Sequence, residues 1–223
     1  MKAVIFDFNG TLLFDGKLHR EAWNAMSLKY KGRPFTDVEW ENINGSPNSR
    51  LVEFVLNRQA TLEEVKDIGL EKEKMYQKFL DQSGLELCDG AISLFESLAR
   101  EKVPFGIATS SGWENVEVFV EKFKLLHWFD MDHIIYNDGS LKGKPNPDIY
   151  LKAASKLGAN PKRCVVFEDA ISGVKSATSA GCIVVAVASD LKSDVLEKLE
   201  SVKLVINDFK AINVNALNKL VEE

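Results

Sequence analysis

MKAVIFDFNGTLL, residues 1–13, runs from an apolar stretch into a turn. Ala3 to Phe6 are apolar, and they deliver one carboxylate, Asp7, into a segment containing Gly10 and Thr11. A nearly continuous apolar run suits a strand buried on both faces, as in a parallel sheet covered by helices. Later segments share this character: VPFGIAT (103–109), HIIY (133–136), RCVVFED (163–169), CIVVAVA (182–188) and KLVIND (203–208). Between them lie stretches of helical period. Residues 90–101 place Ile92, Phe95, Leu98 and Ala99 on one face, and residues 113–126 do the same with Val116, Phe119, Val120 and Phe123. NPDIYLKAASKLG (146–158) reads as a helix with Asn146 at the N-cap, Pro147 at the first helical position and Gly158 at the end. Strand, helix and strand in repetition predict an α/β fold, a three-layer Rossmann-like parallel sheet with right-handed crossovers.

Residues 15–83 break that rhythm, because no apolar strand run occurs there. Helices are predicted instead over 17–31, 36–44, 47–58 and 61–82. Thr36 with Glu39, and Thr61 with Glu64, have capping-box spacing. Ser46-Pro47 reads as a cap followed by Pro at the first helical position. The predicted organisation is an α/β core domain of residues 1–14 and 84–223, with an α-helical cap domain of residues 15–83 inserted after the first strand.

Composition narrows the function classes. A net charge of −5 argues against a nucleic-acid partner, since phosphate backbones need clustered Lys and Arg. Cys88, Cys164 and Cys182 form no CxxC pair, and the last two lie in or beside apolar runs, so they read as small core residues. The first residues lack a basic segment followed by an apolar one, and residues 182–188 are too short to span a bilayer. A cytoplasmic protein with no membrane partner is expected, as a monomer or weak oligomer.

In an open parallel sheet, ligands bind beyond the C-terminal ends of the strands. The first strand ends on Asp7 and the second on Thr109, Ser110 and Ser111. Lys142 and Lys144 follow the third, and the fourth ends on Glu168 and Asp169. Each has an ordinary explanation when taken alone. Asp7 is a turn residue, residues 109–111 cap a helix starting near Trp113, Lys144 is a solvated charge, and Glu168-Asp169 complements a helix dipole. Together these explanations weaken, because three acids on one sheet edge repel unless a cation holds them. Oxygen ligands without thiols suit Mg²⁺. A hydroxyl and a lysine beside such a cation suit a phosphoryl group.

These residues resemble the haloacid dehalogenase superfamily of Mg²⁺-dependent aspartyl-nucleophile phosphatases and phosphomutases. Its first motif, Asp-x-Asp-Gly-Thr/Val, is matched by Asp7-Phe8-Asn9-Gly10-Thr11. Its second motif is matched by GIAT ending on Thr109, its third by Lys144 in KGKPNPDIY, and its fourth by Glu168 and Asp169 in VVFEDAISGVKSATSAG. A helical cap between the first two motifs, and LHREAW (18–23), resemble the subgroup containing β-phosphoglucomutase and many small phosphatases. The resemblance implies that Asp7 attacks phosphorus and that Thr109 and Lys144 hold the phosphoryl oxygens. It also implies that Mg²⁺ is bound by Asp7, the backbone carbonyl of Asn9, Asp169 and Glu168, the last directly or through water. Thr11 and Ser110 join the substrate-binding set, and the cap closes over the substrate. His19 either orients the loop carrying Asn9 or packs in the cap hinge. Arg50 either meets a phosphate from the cap side or is a solvated helix charge. Trp23 is read as a core residue.

Asn9 departs from the family pattern. The family's second acid protonates the leaving oxygen and later deprotonates the attacking water, and an amide does neither. General acid–base catalysis supplies roughly 10²–10⁴ in rate, or about 3–5.5 kcal/mol at the transition state. The leading expectation is a phosphohydrolase of a small phosphorylated, sugar-phosphate-like metabolite. It would act on a substrate with a good leaving group, or with His19 or water as substitute acid. The alternatives are a β-phosphoglucomutase-type phosphotransferase, a low-turnover phosphate-ligand-binding relative, and an engineered variant that traps a complex. A true dehalogenase, which also forms an aspartyl ester, needs no Mg²⁺ and is disfavoured by the Glu168-Asp169 pair.

Overall fold

The opening apolar run forms β1 (Ala3–Phe6), in which every residue is buried. It is joined by β2 (Phe105–Ala108), β3 (Ile134–Ile135), β4 (Cys164–Glu168), β5 (Ile183–Val187) and β6 (Val202–Ile206). All pair in parallel, in the order β3-β2-β1-β4-β5-β6. The central β1 sets Ile5 opposite Gly106 of β2 and Val166 of β4. Chain order reverses between β1 and β4, and such a reversal opens a crevice at the C-terminal strand ends. The computed structural model describes residues 1–222 and falls into two compact units, Met1–Phe14 together with the chain from Glu86 onward, and Asp15–Leu85.

The second unit is helical: α1 (Gly16–Lys31), α2 (Asp37–Ile43), α3 (Asn48–Leu56) and α4 (Leu62–Ser83). Its core gathers Trp23, Met26, Phe35, Ile43, Leu51, Val52, Val55 and Ile68. Both expected capping boxes form, at Thr36 with Glu39 and at Thr61 with Glu64. Ser46-Pro47 differs from its reading. Pro47 itself occupies the N-cap of α3, so the helix starts one residue later and no side chain caps it.

The sheet is covered on both faces, and β1 shows how. Ala3 and Ile5 point into a cluster with Ile149, Tyr150, Ala153, Val166, Val174 and Ala177. Phe6 points the other way, into an aromatic layer. Its ring stacks on Phe167 at 5.2 Å and meets Phe95 edge-on at 5.3 Å and Phe209 at 5.9 Å. Each such buried side chain contributes roughly 1.5–3 kcal/mol relative to exposure. The helices supplying these faces include α5 (Ala91–Arg100), α6 (Trp113–Lys122), α7 (Asp148–Lys156) and α8 (Ile171–Ser179), followed by α9 (Ser193–Leu196) and α10 (Val214–Glu222). Cys164 and Cys182 are free and buried, as core residues would be.

Two helix ends differ from expectation. α6 stops at Lys122, because Lys124 takes a left-handed conformation (φ 51°) and a short 3₁₀ turn then buries Leu125. α7 starts at Asp148, with Pro147 at the N-cap, and the Asn146 amide donates to the Gly143 carbonyl (2.9 Å) instead of capping. Among the described residues, no helix is long and apolar enough to cross a membrane.

Candidate active site

Asp7 is the first residue past β1, and its backbone N–H donates to the Phe167 carbonyl (3.0 Å), which extends the ladder with β4 by one step. Glu168 is the last residue of β4 and Asp169 follows it. The sheet register therefore brings three acids to one place. One carboxylate oxygen from each of Asp7, Glu168 and Asp169 lies within 4.8 Å of the others. Asp7 and Glu168 are only 6% and 1% exposed, so water screens their charges poorly.

One cation answers them. Lys144 Nζ lies 2.5 Å from Asp7 Oδ1 and 2.5 Å from Glu168 Oε1, with its side chain buried. Burial pulls the ammonium pKa down, but the Asp7 and Glu168 carboxylates outweigh it, and Lys144 is held above the ordinary lysine value. Lys144 is therefore charged across the physiological range. Among the described residues, no lysine or arginine makes an ion pair with Asp169. Burial, then the charges of Glu168 and Asp7, hold its carboxyl well above the usual carboxylate range, against the opposing pull of Lys144 and a Thr11 hydrogen bond. Three carboxylates facing one ammonium leave an excess of negative charge.

The space around these acids is made by glycines. Gly10 sits at φ +79°, and a Cβ there would come within 2.2 Å of Asp169 Oδ2. A Cβ on Gly173 of α8 would stand 1.7 Å from Glu168 Oε1. Thr11 Oγ1 donates to Asp169 Oδ1 (3.1 Å). An all-oxygen donor set with surplus negative charge and glycine clearance fits a hard divalent cation such as Mg²⁺.

Beside the acids, the turn after β2 contributes hydroxyls. Asn9 Oδ1 accepts from Ser111 Oγ (2.8 Å) and Thr109 Oγ1 (3.4 Å), and the Ser111 N–H donates to Thr109 Oγ1 (3.1 Å). The amide oxygen of Asn9 is thus engaged by the Thr109 and Ser111 hydroxyls, while Ser110, the residue between them, is exposed. Ser110, the serine of this run expected to bind substrate, is not the one that reaches Asn9. Neighbouring serines are equivalent in sequence, and the backbone turn alone decides which faces Asn9.

The candidates from residues 15–83 lie in the helical unit. Arg50 is exposed on α3. His19 is engaged within its own unit. Lys72 Nζ is 2.8 Å from His19 Nδ1, the ring stacks on Tyr76 at 4.1 Å, and Nε2 is 3.4 Å from Asp15 Oδ2. Tyr76 donates its hydroxyl to the same Asp15 oxygen. Lys72 is 3% exposed, and burial lowers its pKa against the opposing pull of Glu73 and Asp15. Neither Lys72 nor Tyr76 stood out in the sequence, where both look like ordinary positions of a long amphipathic helix.

Comparison with known proteins identifies the family. A model of the haloacid dehalogenase-like hydrolases matches residues 1–181. The chain is 28% identical over 216 residues to a phosphorylated carbohydrates phosphatase of Thermotoga maritima, covering 95% of this chain and 90% of that one. It is 30% identical over 194 residues to the β-phosphoglucomutase of Bacillus subtilis, covering 84% and 83%. Among solved structures, a HAD hydrolase of family IA, variant 3, from Entamoeba histolytica superposes with a TM-score of 0.98 at 45% identity over the whole of both chains. The family match reaches from Asp7 through Lys144 to Asp169, and with it this chain belongs to the haloacid dehalogenase-like hydrolases.

Proposed function

We propose that the chain is a Mg²⁺-dependent phosphatase of a small phosphorylated, sugar-phosphate-like metabolite, working through an aspartyl-phosphate on Asp7. The observation that carries this reading is the Lys144 ammonium, 2.5 Å from both Asp7 and Glu168 at the end of the sheet. It holds one carboxylate ready to attack and offers positive charge to an incoming phosphoryl group. The phosphatase activity named for the Thermotoga relative supports the substrate class.

Asp7, the Asn9 carbonyl and Asp169, with Glu168 directly or through water, are the proposed Mg²⁺ ligands. The bound ion would offset charge on the phosphoryl oxygens. Lys144 and Thr109 would hold those oxygens in line with Asp7. A bond forms from an Asp7 carboxylate oxygen to phosphorus while the bond from phosphorus to the leaving oxygen breaks. The leaving oxygen departs with the electron pair and takes its proton from water, because Asn9 has none to give. Water then attacks the same phosphorus, the Asp7–phosphorus bond breaks, and inorganic phosphate and the Asp7 carboxylate are restored as the water's proton passes to solvent.

Asn9 favours substrates whose leaving group is stable as an anion, such as an acyl phosphate or pyrophosphate. Thr11, Ser110, His19 and Arg50 are proposed contributors to substrate recognition. The same amide supports a second reading, a phosphate-ester-binding relative with little turnover. A screen of phosphate release over a metabolite panel with Mg²⁺ separates the two. Multiple turnovers that vanish in Asp7→Ala support the phosphatase, and binding without turnover supports the second reading. An unchanged rate in Asp7→Ala rejects the first.

A further inference from the structure

Tyr150 is a buried titratable group that the proposed steps do not use. It lies on the first turn of α7, six residues after Lys144, and is fully buried. Its hydroxyl donates to Glu168 Oε1 at 2.7 Å, the same oxygen that receives Lys144 Nζ at 2.5 Å. The Lys144 ammonium also lies 5.0 Å from the Tyr150 ring centroid. The other Glu168 oxygen, Oε2, accepts the Ala170 N–H at 3.1 Å. Glu168 is therefore pinned at both oxygens.

Tyr150 belongs to the buried core cluster that also holds Ile149, Ala153, Ala154 and Val174, and its side chain is fully buried, so the hydroxyl has a fixed origin. With Phe at this position the core packing and the ring beneath Lys144 would be unchanged. Only the hydrogen bond to Glu168 distinguishes tyrosine here.

We infer that Tyr150 is a positioning residue for Mg²⁺. Its hydroxyl fixes the orientation of the Glu168 carboxylate and stops Lys144 from drawing Glu168 toward Asp7. Without it, Oε1 has a single donor, Lys144, which is shared with the attacking carboxylate. Oε2 stays held by the Ala170 N–H, but Oε1 is then free to follow Lys144 toward Asp7, and the carboxylate cluster is less well preset for the ion. The inference rests on the Mg²⁺ site proposed above. Partners that orient metal-binding carboxylates are typically worth 10–100-fold in metal affinity.

The test is Mg²⁺ binding to the substrate-free protein, by calorimetry and by the Mg²⁺-induced rise in melting temperature. Tyr150→Phe should weaken Mg²⁺ binding by about tenfold or more, while kcat at saturating Mg²⁺ falls less than the affinity does. The metal-free melting temperature reports separately on packing. A structural role alone would lower it and leave Mg²⁺ affinity at the wild-type value, and that result overturns the inference. A double-mutant cycle with Glu168→Gln isolates the route. An equal loss from Tyr150→Phe in both backgrounds would also overturn it, since the effect would then not pass through Glu168. Absence of Mg²⁺ binding in the wild type would instead reject the proposed metal site itself.

Discussion

Ser111 donates its hydroxyl to the side-chain oxygen of Asn9 at 2.8 Å, with the Thr109 hydroxyl 3.4 Å from the same oxygen. A carboxyl group at position 9 would keep acceptors for these donors and, unlike the amide, could take up and release a proton. Asn9→Asp is therefore expected to raise turnover on alkyl phosphate esters by roughly 10²–10⁴ and to leave activated aryl or acyl phosphates nearly unchanged. Steady-state kinetics on one substrate of each kind checks this. No gain on the alkyl ester would mean that another group carries the proton.

Asp169 ties metal to stability. Its carboxyl is raised in the folded protein, by burial first and then by the Glu168 and Asp7 charges. A carboxyl raised on folding holds its proton more tightly in the native state. Its favourable contribution is complete below the unfolded pKa, about 3.9, and is lost as pH rises through the folded value. Asp169→Asn should therefore raise the metal-free melting temperature at pH 7. The gain over wild type should shrink on acidification. The same variant should lose the Mg²⁺-induced stabilisation. Thermal melts with and without Mg²⁺ across pH test both statements.

The glycines at 173 and 69 predict opposite outcomes for one substitution. A Cβ on Gly173 would stand 1.7 Å from the pinned Glu168 Oε1, whereas a Cβ on Gly69 in α4 has only Asn48 Nδ2 within 4 Å, at 3.7 Å. Gly→Ala inside a helix is otherwise stabilising by about 0.5–1 kcal/mol, while overpacking costs about 1–3 kcal/mol. The clash wins at position 173. Gly173→Ala should lose stability and Mg²⁺ binding, and Gly69→Ala should gain stability. Denaturant titration of both variants decides.

The Thr61–Glu64 capping box fastens the start of α4. Thr61→Ala should cost about 1 kcal/mol, and hydrogen exchange should show the loss confined to the helical unit. Exchange that also increases in β1 or β4 would show that the effect is not local.

The strands were legible because burial on both faces writes a nearly continuous apolar run, as in residues 3–6 and 164–167. The site acids were legible because each ends such a run. Other features depend on chain geometry that a sequence does not carry. Asn146 carries a cap-forming side chain, yet it turns back to Gly143. Ser110 and Ser111 differ only in which way the turn after β2 aims them. Tyr150 reads as one more apolar position on α7, and only the placement of that helix brings its hydroxyl to Glu168. Lys72 is one of several charges on α4, yet it is buried beside His19. Pattern reports which side is buried, and these contacts depend on which atom is reached.

The role of Asp7 is tested most directly by trapping the phosphorylated protein. The protein is mixed with Mg²⁺ and an activated phosphate ester, quenched in acid, digested and mapped by mass spectrometry. The account predicts a phosphate adduct on the peptide carrying Asp7, localised to that carboxylate and absent without Mg²⁺ or in Asp7→Ala. A phosphate adduct on a different residue, or undiminished phosphate release by Asp7→Ala, would contradict it.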